Sequence, residues 1–183
     1  VSSLDTDIPS YPDLSQLKGQ PLLCMALEVA AAGGHHLLMT GPPGVGKTMA
    51  ASVLPGLLPP MPKETAQELR LLQDVAGATQ CGAPPFRAPH HSSSVASLMG
   101  GTARALPGDI SMAHGGVLFL DELSEFPHTV LNQLRQPLET GHIRVNRAQC
   151  QHLYPAQFQL VAAMNPCPCG LAGDPDCRCR CTP

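Results

Sequence analysis

The chain of 183 residues is long enough to bury the core of one domain. Its net charge of −3 and sequence pI of about 6.2 argue against a uniformly basic nucleic-acid coat, although local basic loops are compatible with them. No apolar run approaches the length of a membrane span, and the N-terminal residues lack the basic region and apolar core of a secretory signal. We therefore expect a cytoplasmic protein that makes no membrane contact.

The first elements are predicted to be an extended lead-in and a helix. Residues 1–18 contain Pro and Ser without periodicity, which is typical of an extended segment. A helix is predicted after Gly19-Gln20, with Pro21 in its first turn, and is expected to end at Gly33-Gly34. Four apolar residues recur in it at helical spacing and are predicted to form its buried face: Leu22, Met25, Ala26 and Val29.

The next segment, residues 41–48, reads GPPGVGKT, a complete G-x-x-x-x-G-K-T motif. The apolar run at 36–39 is predicted to be a buried strand, and residues 47–54 are predicted to form a helix that Pro55 stops. Strand, glycine loop and helix are the context of a true phosphate-binding loop. The residues predicted to bind the nucleotide are Gly41, Pro42, Pro43, Gly44, Val45, Gly46, Lys47, Thr48 and Met49.

The chemistry of phosphate binding explains these residue types. Glycines let the loop curl so that backbone N–H groups converge on phosphate oxygens, and the following helix adds partial positive charge at its N-terminus. Lys47 is predicted to reach the β- and γ-phosphates of ATP, and the Thr48 hydroxyl is predicted to ligate Mg²⁺. The alternative, an ordinary glycine turn before a helix, does not require the complete motif.

Short helices in a largely irregular chain are predicted to follow. Residues 55–62 are expected to form a rigid Pro-rich loop, and residues 63–74 an amphipathic helix. The predicted apolar side of this helix consists of Ala66, Leu69 and Leu72. Residues 76–93 show no periodicity, whereas residues 94–99 and 109–113 fit short helical pieces.

A second motif, VLFLDE, occupies residues 117–122. Its apolar part suits the middle of a parallel sheet, and Asp121 and Glu122 follow at the carboxyl end of the strand, where ligands bind in open α/β sheets. Asp121 is predicted to hold Mg²⁺, and Glu122 is predicted to polarise the attacking water. Alone, this pattern is more typical of an ordinary strand end; together with the phosphate loop, it indicates catalysis.

The C-terminal third is predicted to contain a helix, a hairpin and one more strand. Pro137 should bend or end the helix predicted at 129–139. The hairpin is predicted at 143–154, with its turn near 147–149. Residues 158–163 are predicted to form a further buried strand.

Residues 166–183 are predicted to form a Cys-rich loop. The scattered Cys24, Cys81 and Cys150 are interpreted as ordinary small residues. The clustered cysteines, spaced C-x-C, seven residues, C-x-C-x-C, are Cys167, Cys169, Cys177, Cys179 and Cys181. In a reducing compartment such a cluster favours a metal over disulfides, and four thiolates suit tetrahedral Zn²⁺. A reduced tail without metal is the alternative, because the spacing is not a standard C-x₂-C pair.

Five segments of the chain resemble one family. They are residues 27–48, 85–94, 108–126, 134–148 and 158–170. The most specific sequences among them are FRAPHH and AAMNPCPCG. From about Leu14 onward, the chain resembles the magnesium-chelatase-like AAA+ ATPases, and most closely their competence-type ComM/YifB branch.

The resemblance implies an α/β P-loop NTPase fold, with a five-stranded parallel sheet sandwiched by helices in a core at residues 19–165. The hairpin at 143–154 matches an insert before sensor 1, and residues 86–101 match a helix-2 insert; both inserts tend to face the pore of a ring. Asn165 matches the sensor-1 position, which contacts the γ-phosphate and the attacking water. The family assembles as homo-oligomeric rings, for which we expect a hexamer.

Two departures from the family pattern bear on activity. Leu22, Leu23 and Cys24 stand where the resemblance leads us to expect a Lys-Arg pair near the nucleotide base. The family's helical lid, trans-acting arginine and sensor-2 arginine are expected outside this chain, which looks cut from a longer protein. Because an arginine finger is worth ~10³–10⁵ in rate, we expect the isolated chain to be weakly active.

Several polar residues have both a functional and a structural interpretation. His90-His91 could be metal ligands or pore-loop residues, or a pair that hydrogen-bonds the backbone of its own loop. Arg87 is interpreted as a pore-facing or inter-subunit charge. Arg144 and Arg147 could contact DNA phosphates at the hairpin tip, or they could be solvated there.

The sequence thus predicts an ATPase that uses ATP and Mg²⁺, with Lys47, Glu122 and Asn165 in catalytic roles. The leading interpretation is a DNA-directed motor of the competence or branch-migration helicase type, with DNA as the partner of the full-length protein. One alternative is a magnesium chelatase I-type subunit that drives Mg²⁺ insertion into a porphyrin. Another is a non-catalytic, nucleotide-dependent assembly module, against which the intact Lys47, Asp121 and Glu122 argue.

Overall fold

A parallel β-sheet organises the fold in the computed structural model of the protein. The structure describes residues 10–79, 82–101, 105–146, 151–170, 172, 179 and 181. The strands of this sheet are β1 (Leu37–Thr40), β2 (Phe86–Arg87), β3 (Val117–Leu120) and β6 (Gln159–Met164), in the spatial order β1-β6-β3-β2. All their pairings are parallel, so their carboxyl ends lie at one edge. The sheet has four strands within the described residues, where the resemblance implies five.

Helices accompany every strand of this sheet. Their bounds are α1 Pro21–Gly33, α2 Lys47–Leu57, α3 Lys63–Ala76, α4 Val95–Met99, α5 Asp109–Met112 and α6 His128–Thr140. Single 3₁₀ turns lie at Leu14–Gln16 and Leu123–Glu125. Across the part of the chain that the structure describes, no helix combines the length and apolarity that crossing a membrane requires.

Apolar clusters cover both faces of the sheet. Successive side chains of β3 point to opposite faces, so they enter different clusters. Val117 and Phe119 belong to an apolar cluster that includes residues of α1 and α2. Leu118 and Leu120 belong to a second cluster, which includes residues of α5, α6 and the hairpin. The fully apolar sequence of β3 is therefore explained by burial on both sides, as the motif predicted.

The predicted hairpin is present as the antiparallel pair β4 (His142–Asn146) and β5 (Gln151–Pro155). Ile143 and Val145 are buried, whereas Arg144 between them is exposed and lies opposite Leu153. The alternation anchors one face of the hairpin to the core and leaves the other face in solvent. The predicted turn at 147–149, with Arg147, lies outside the described residues.

The predicted buried face of α1 is wrong. Leu22, Met25 and Val29 are 79%, 58% and 56% exposed, and Ala26 is only partly buried. The buried residues of this helix are Leu27, Ala30 and Ala31. The helix is apolar around most of its circumference, so helical spacing does not distinguish one stripe from another. Small alanines allow close contact with the neighbouring elements, which favours the stripe that contains them.

Two prolines lie inside helices that they were predicted to end or bend. Pro55 is buried within α2, which continues to Leu57, and Pro137 is buried within α6, which continues to Thr140. Each proline sits in the last turns of its helix, so it removes a single backbone hydrogen bond near an end that frays anyway. Its buried ring contributes apolar contact in return. Helix α6 ends at Gly141, whose N–H donates to the carbonyl of Pro137.

Two further local predictions need correction. The lead-in is not uniformly extended, because Leu14–Gln16 forms a 3₁₀ turn and Leu17 is buried against the first cluster. The Asp13 carboxylate accepts the Ser15 N–H and stabilises this turn. In the aperiodic stretch at 76–93, Phe86–Arg87 forms β2 beside β3. A strand of two residues is too short to show alternation in a sequence.

Candidate active site

Three sheet strands direct the predicted site residues to one cavity. The phosphate loop follows β1, Asp121 and Glu122 follow β3, and Asn165 follows β6. Because these strands are parallel neighbours, the segments after them meet at the carboxyl edge of the sheet. The cavity has a volume of about 320 Å³ and is lined by Pro43, Gly44, Gly46, Lys47, Thr48, Asp121, Glu122, Met164 and Asn165.

The backbone of the phosphate loop has the predicted curl. Gly44 and Gly46 have φ angles of 83° and 87°, in the left-handed region that residues with a Cβ rarely adopt. Gly46 is the N-cap of α2 and has no side chain to bond the first helical N–H groups. These donors and the N-terminal end of the helix dipole therefore face the loop, which is the arrangement that binds anions.

Lys47 connects the loop to the end of β6. Its Nζ donates to the carbonyl oxygens of Gly41 and Pro42 at 2.8 and 3.0 Å. It also donates to Oδ1 of Asn165 at 3.1 Å. The ammonium group and the amide predicted to act as sensor 1 are therefore in direct contact, although they are 118 residues apart in sequence.

Thr48 and Asp121 form an oxygen-rich pair beside Lys47. The Thr48 hydroxyl donates to Oδ2 of Asp121 at 2.8 Å, and the backbone N–H of Glu122 donates to Oδ1 at 3.0 Å. Hydroxyl and carboxylate oxygens are the hard ligands that Mg²⁺ prefers. The donor set therefore fits the predicted metal role of these two residues.

Glu122 stands at the mouth of the cavity in an unusual backbone conformation. Its φ and ψ angles are 53° and 52°, and its side chain is 56% exposed. For a residue with a Cβ, the left-handed conformation costs roughly 1–2 kcal/mol. Its Oε2 lies 3.2 Å from Nδ1 of His91, whose ring also meets Phe126 edge-on at 6.4 Å. The carboxylate is thus held beside an imidazole.

The remaining predicted nucleotide residues occupy the outside of the loop. The N–H of Gly41 donates to Met164 at the end of β6. The carbonyl of Val45 accepts a hydrogen bond from the Gln20 side chain at 2.9 Å. Met49 is exposed on α2. Sequence reasoning did not include Gln20, and only its position one residue before α1 could have suggested a contact with the loop.

The other polar candidates have mixed outcomes. His90 bonds Ser92 within its own loop, at 2.7 Å, whereas His91 contacts Glu122. A metal role for this pair gains no support, because the described His, Cys, Asp and Glu residues form a metal-sized group only in the cysteine cluster. Arg87 is half-buried on β2. Burial raises the pKa of Asp109, and the charge of Arg87 opposes that rise. Arg144 is exposed on the hairpin, as a DNA contact would require.

The described part of the Cys-rich segment begins directly after Asn165, which lines this site. The Sγ atoms of Cys167, Cys169, Cys179 and Cys181 all lie within 4.8 Å of one another. Gly170, in the first half of the loop, packs against Pro43 of the phosphate loop. Cys177, the fifth predicted ligand, lies outside the described residues. Cys24 is remote from the cluster and is partly buried beside Leu17, as an ordinary small residue would be.

Residues 13–183 match the protein family described as magnesium chelatase, subunit ChlI. The chain belongs to this family. The predicted resemblance is thereby confirmed, with relatives in the branch that the sequence motifs indicated.

Three curated relatives of this family member cover most of the chain. Competence protein ComM of Haemophilus influenzae is 53% identical over 162 residues, which are 86% of this chain and 32% of that protein. YifB of Escherichia coli is 49% identical over 176 residues, which are 93% of this chain and 34% of that protein. Rv2897c of Mycobacterium tuberculosis is 51% identical over an alignment of 185 positions, which covers 98% of this chain and 37% of that protein. The chain therefore spans about a third of the length of these relatives.

Solved structures share the fold at low identity. One is a complex between subunits BchI and BchD of magnesium chelatase, with a TM-score of 0.57 and 24% identity over 79% of this chain and 51% of that chain. Another is NtrX from Brucella abortus in complex with ATP, with a TM-score of 0.55 and 17% identity over 86% of this chain and 30% of that chain. The family member therefore has the fold of an AAA+ P-loop protein, in which helices flank a parallel sheet.

Proposed function

We propose that this chain binds ATP with Mg²⁺ and hydrolyses it as the core of an AAA+ ATPase. The observation that carries the proposal is the convergence of Lys47, Thr48, Asp121, Glu122 and Asn165 on one cavity at the carboxyl edge of the sheet. ATP bound to NtrX, a protein with the same fold, supports the class of ligand.

In this proposal the phosphate loop binds the triphosphate. Its backbone N–H groups and the N-terminus of α2 bond the phosphate oxygens. Lys47 already lies against the loop carbonyls, and its charge neutralises the β- and γ-phosphates. Thr48 and Asp121 would hold Mg²⁺, which would supply positive charge to offset that of the phosphates.

Glu122 and Asn165 act on the attacking water. Glu122 accepts a proton from it, and Asn165 orients it against the γ-phosphate. The contact between Asn165 and Lys47 supports this role, because it puts the amide within reach of the same phosphate as the ammonium group. ATP turnover also fits the cytoplasm, where we propose that the protein acts.

We further propose that the whole protein is a DNA-directed motor. The support is the identity to ComM and YifB, about half of the aligned residues, and the name of ComM, which is a competence protein. The exposed Arg144 on the hairpin offers a phosphate contact. A homo-oligomeric ring, proposed as a hexamer, would bring several such hairpins around one DNA.

Magnesium chelation is the second candidate function. Its support is the description of the matching family and the fold shared with the BchI and BchD complex, at 24% identity. A silent assembly module is a third possibility, against which the intact Lys47, Asp121 and Glu122 argue. The candidates differ in a measurable way, because only the DNA motor should be stimulated by DNA.

The test compares nucleotide binding and hydrolysis in two variants. Lys47→Ala should weaken the affinity for a fluorescent ATP analogue, because the loop loses its only side-chain cation. Glu122→Gln should keep that affinity but lower kcat by about 10²-fold or more, since an amide cannot take the proton. Near-normal turnover by Glu122→Gln would refute the role of Glu122.

Matched controls separate these effects from general damage. Lys63→Ala removes an exposed lysine from the start of α3 and should leave affinity and turnover unchanged. The same assay on the full-length protein with branched DNA, and with a porphyrin and Mg²⁺, distinguishes the candidate functions. Stimulation by DNA supports the motor, whereas insertion of Mg²⁺ into the porphyrin supports the chelatase.

A further inference from the structure

Four thiols converge beside the phosphate loop in a geometry that fits a metal ion. Sγ of Cys167 lies 3.3 Å from Sγ of Cys169, and Sγ of Cys179 lies 3.6 Å from each of them. Cys181 completes the set, with all four sulfur atoms within 4.8 Å of one another. None of these four cysteines forms a disulfide.

The distances match a tetrahedral thiolate site. Zinc binds thiolate at about 2.3 Å, so two sulfur ligands of a regular tetrahedron lie about 3.8 Å apart. The observed separations of 3.3 and 3.6 Å are close to that spacing. The sequence predicted a metal from the clustering of five cysteines, but it did not show that the pairs at 167–169 and 179–181, ten residues apart, converge.

The backbone supports the same sulfur atoms. The N–H of Ala172 donates to Sγ of Cys167 at 3.3 Å, and the N–H of Cys181 donates to Sγ of Cys179 at 3.4 Å. Backbone donors of this kind stabilise the negative charge on thiolate ligands and orient them. The N–H of Gly170 donates to the carbonyl of Cys167, so the first two cysteines lie in one closed turn.

We infer that Cys167, Cys169, Cys179 and Cys181 bind one structural zinc ion. Four protein ligands fill the tetrahedral shell and leave no position for water or substrate, as in sites that stabilise a fold. A tetrahedral set of four thiolates is typical of zinc, and iron is the other metal that binds to such sets. The metal therefore ties Cys167 and Cys169, which closely follow Asn165, to Cys179 and Cys181.

The position of this loop gives the metal a consequence for the cavity. The first ligand comes two residues after Asn165, and Gly170 packs so closely that an added Cβ would lie 2.7 Å from Cδ of Pro43. Both Pro43 and Asn165 line the candidate active site. The zinc loop therefore holds the end of β6 against the phosphate loop. This consequence rests on the proposed function, whereas zinc binding itself does not.

The experiment measures metal content in the full chain, purified from a reducing cytoplasm without chelators. Elemental analysis should find about one zinc per chain, and Cys167→Ser and Cys179→Ser should each lose most of it. Cys24→Ser, outside the cluster, should retain the metal. Cys177→Ser should also retain the metal. Loss of zinc from this variant would overturn the assigned ligand set. Less than about 0.1 zinc per chain, or iron in its place, would overturn the zinc site.

Two further measurements separate this inference from the proposed function. Replacement of the metal by Co²⁺ should give the intense visible absorption of a tetrahedral thiolate site, whether or not the chain binds nucleotide; weak absorption would contradict the site. Cys179→Ser should then weaken nucleotide affinity several-fold, while circular dichroism shows retained helices. Zinc without nucleotide binding would refute only the proposed function. Nucleotide affinity that is unchanged on zinc loss would refute only the coupling of the two loops.

Discussion

The contact between Glu122 and His91 bears on the catalytic role proposed for Glu122. Glu122 has a left-handed backbone and a largely exposed carboxylate, so little else restrains it. The imidazole of His91 lies 3.2 Å from that carboxylate and comes from the loop after β2, the strand next to β3. We assign His91 as a positioning residue, because it contacts Glu122 rather than the phosphate loop.

His91→Ala should lower kcat about tenfold, the equivalent of a hydrogen bond worth about 1.4 kcal/mol, with little change in ATP affinity. The physical reason is that the carboxylate then samples orientations that do not reach the water. Steady-state kinetics that separate kcat from KM are the measurement. A rise in kcat would show that His91 holds Glu122 away from the attacking water, contrary to the assignment.

Two comparisons make this prediction specific to Glu122. In a Glu122→Gln background, His91→Ala should cause almost no further loss, because residues that act through one another are not additive. His128→Ala removes an exposed imidazole from the start of α6, away from His91, and should leave kcat unchanged. If His91→Ala lowered kcat about tenfold in the Glu122→Gln background as well, His91 would act on a group other than Glu122.

At the scale of elements, buried His114 joins α3 to the chain before β6. Its Nδ1 accepts the N–H of Gln157 at 3.1 Å, so its Nε2 carries the proton and donates to the Glu68 carboxylate at 3.0 Å. Burial lowers the pKa of His114; the hydrogen bond and charge of Glu68 oppose this change, and the nearby His142 adds to it. The folded protein therefore keeps His114 neutral at a pH where a solvated histidine takes up a proton.

This lowered pKa predicts that acid destabilises the fold. Below the ordinary histidine pKa of about 6.5, the unfolded chain binds a proton that the folded chain does not. The free energy of unfolding should therefore fall as the pH falls from about 6.5 toward the lower pKa of the folded state. Urea denaturation on both sides of this range is the measurement.

The matched variants are His114→Gln and His128→Gln. The first should flatten the pH dependence, whatever it does to stability at neutral pH. The second removes an exposed histidine from the start of α6 and should leave the dependence as it is. An unchanged slope in His114→Gln would assign the acid sensitivity to other groups.

At the scale of the molecule, the net charge of −3 requires that any DNA contact be local. The hairpin supplies a candidate, because it packs its apolar side on the core and exposes Arg144 on the other. In the proposed ring, each subunit would present this arginine from the same place. The prediction for DNA affinity therefore concerns Arg144 alone, but it depends on where the whole hairpin lies.

Arg144→Ala should weaken DNA binding by the full-length protein and reduce the slope of log affinity against log salt by about 0.9 for each lost phosphate contact on duplex DNA. Fluorescence anisotropy at several salt concentrations is the measurement. Arg70→Ala, which removes an exposed arginine from α3, should change neither quantity. Equal effects of the two variants would indicate general charge rather than a contact at the hairpin.

Continuous stretches of the sequence determined most of the fold and the chemistry of the site. The phosphate loop between β1 and α2, the apolar β3 before Asp121, and the hairpin are predictable because each depends on neighbours in sequence. The meeting of the segments after β1 and β3 at one edge then follows for a parallel sheet, since ligands bind at the carboxyl ends of such strands. Asn165 was predicted by resemblance, and the structure places its side chain in contact with Lys47.

The tertiary structure alone decided the contacts between distant segments. These include the pairing of His91 with Glu122, the contact of Gly170 with Pro43, and the convergence of the two cysteine pairs. It also decided that α1 buries its alanines, because an almost wholly apolar helix has no preferred face until its neighbours pack against it. Local periodicity depends on residues that are close in sequence. These contacts instead join residues that are distant in sequence and that only the folded sheet places close together.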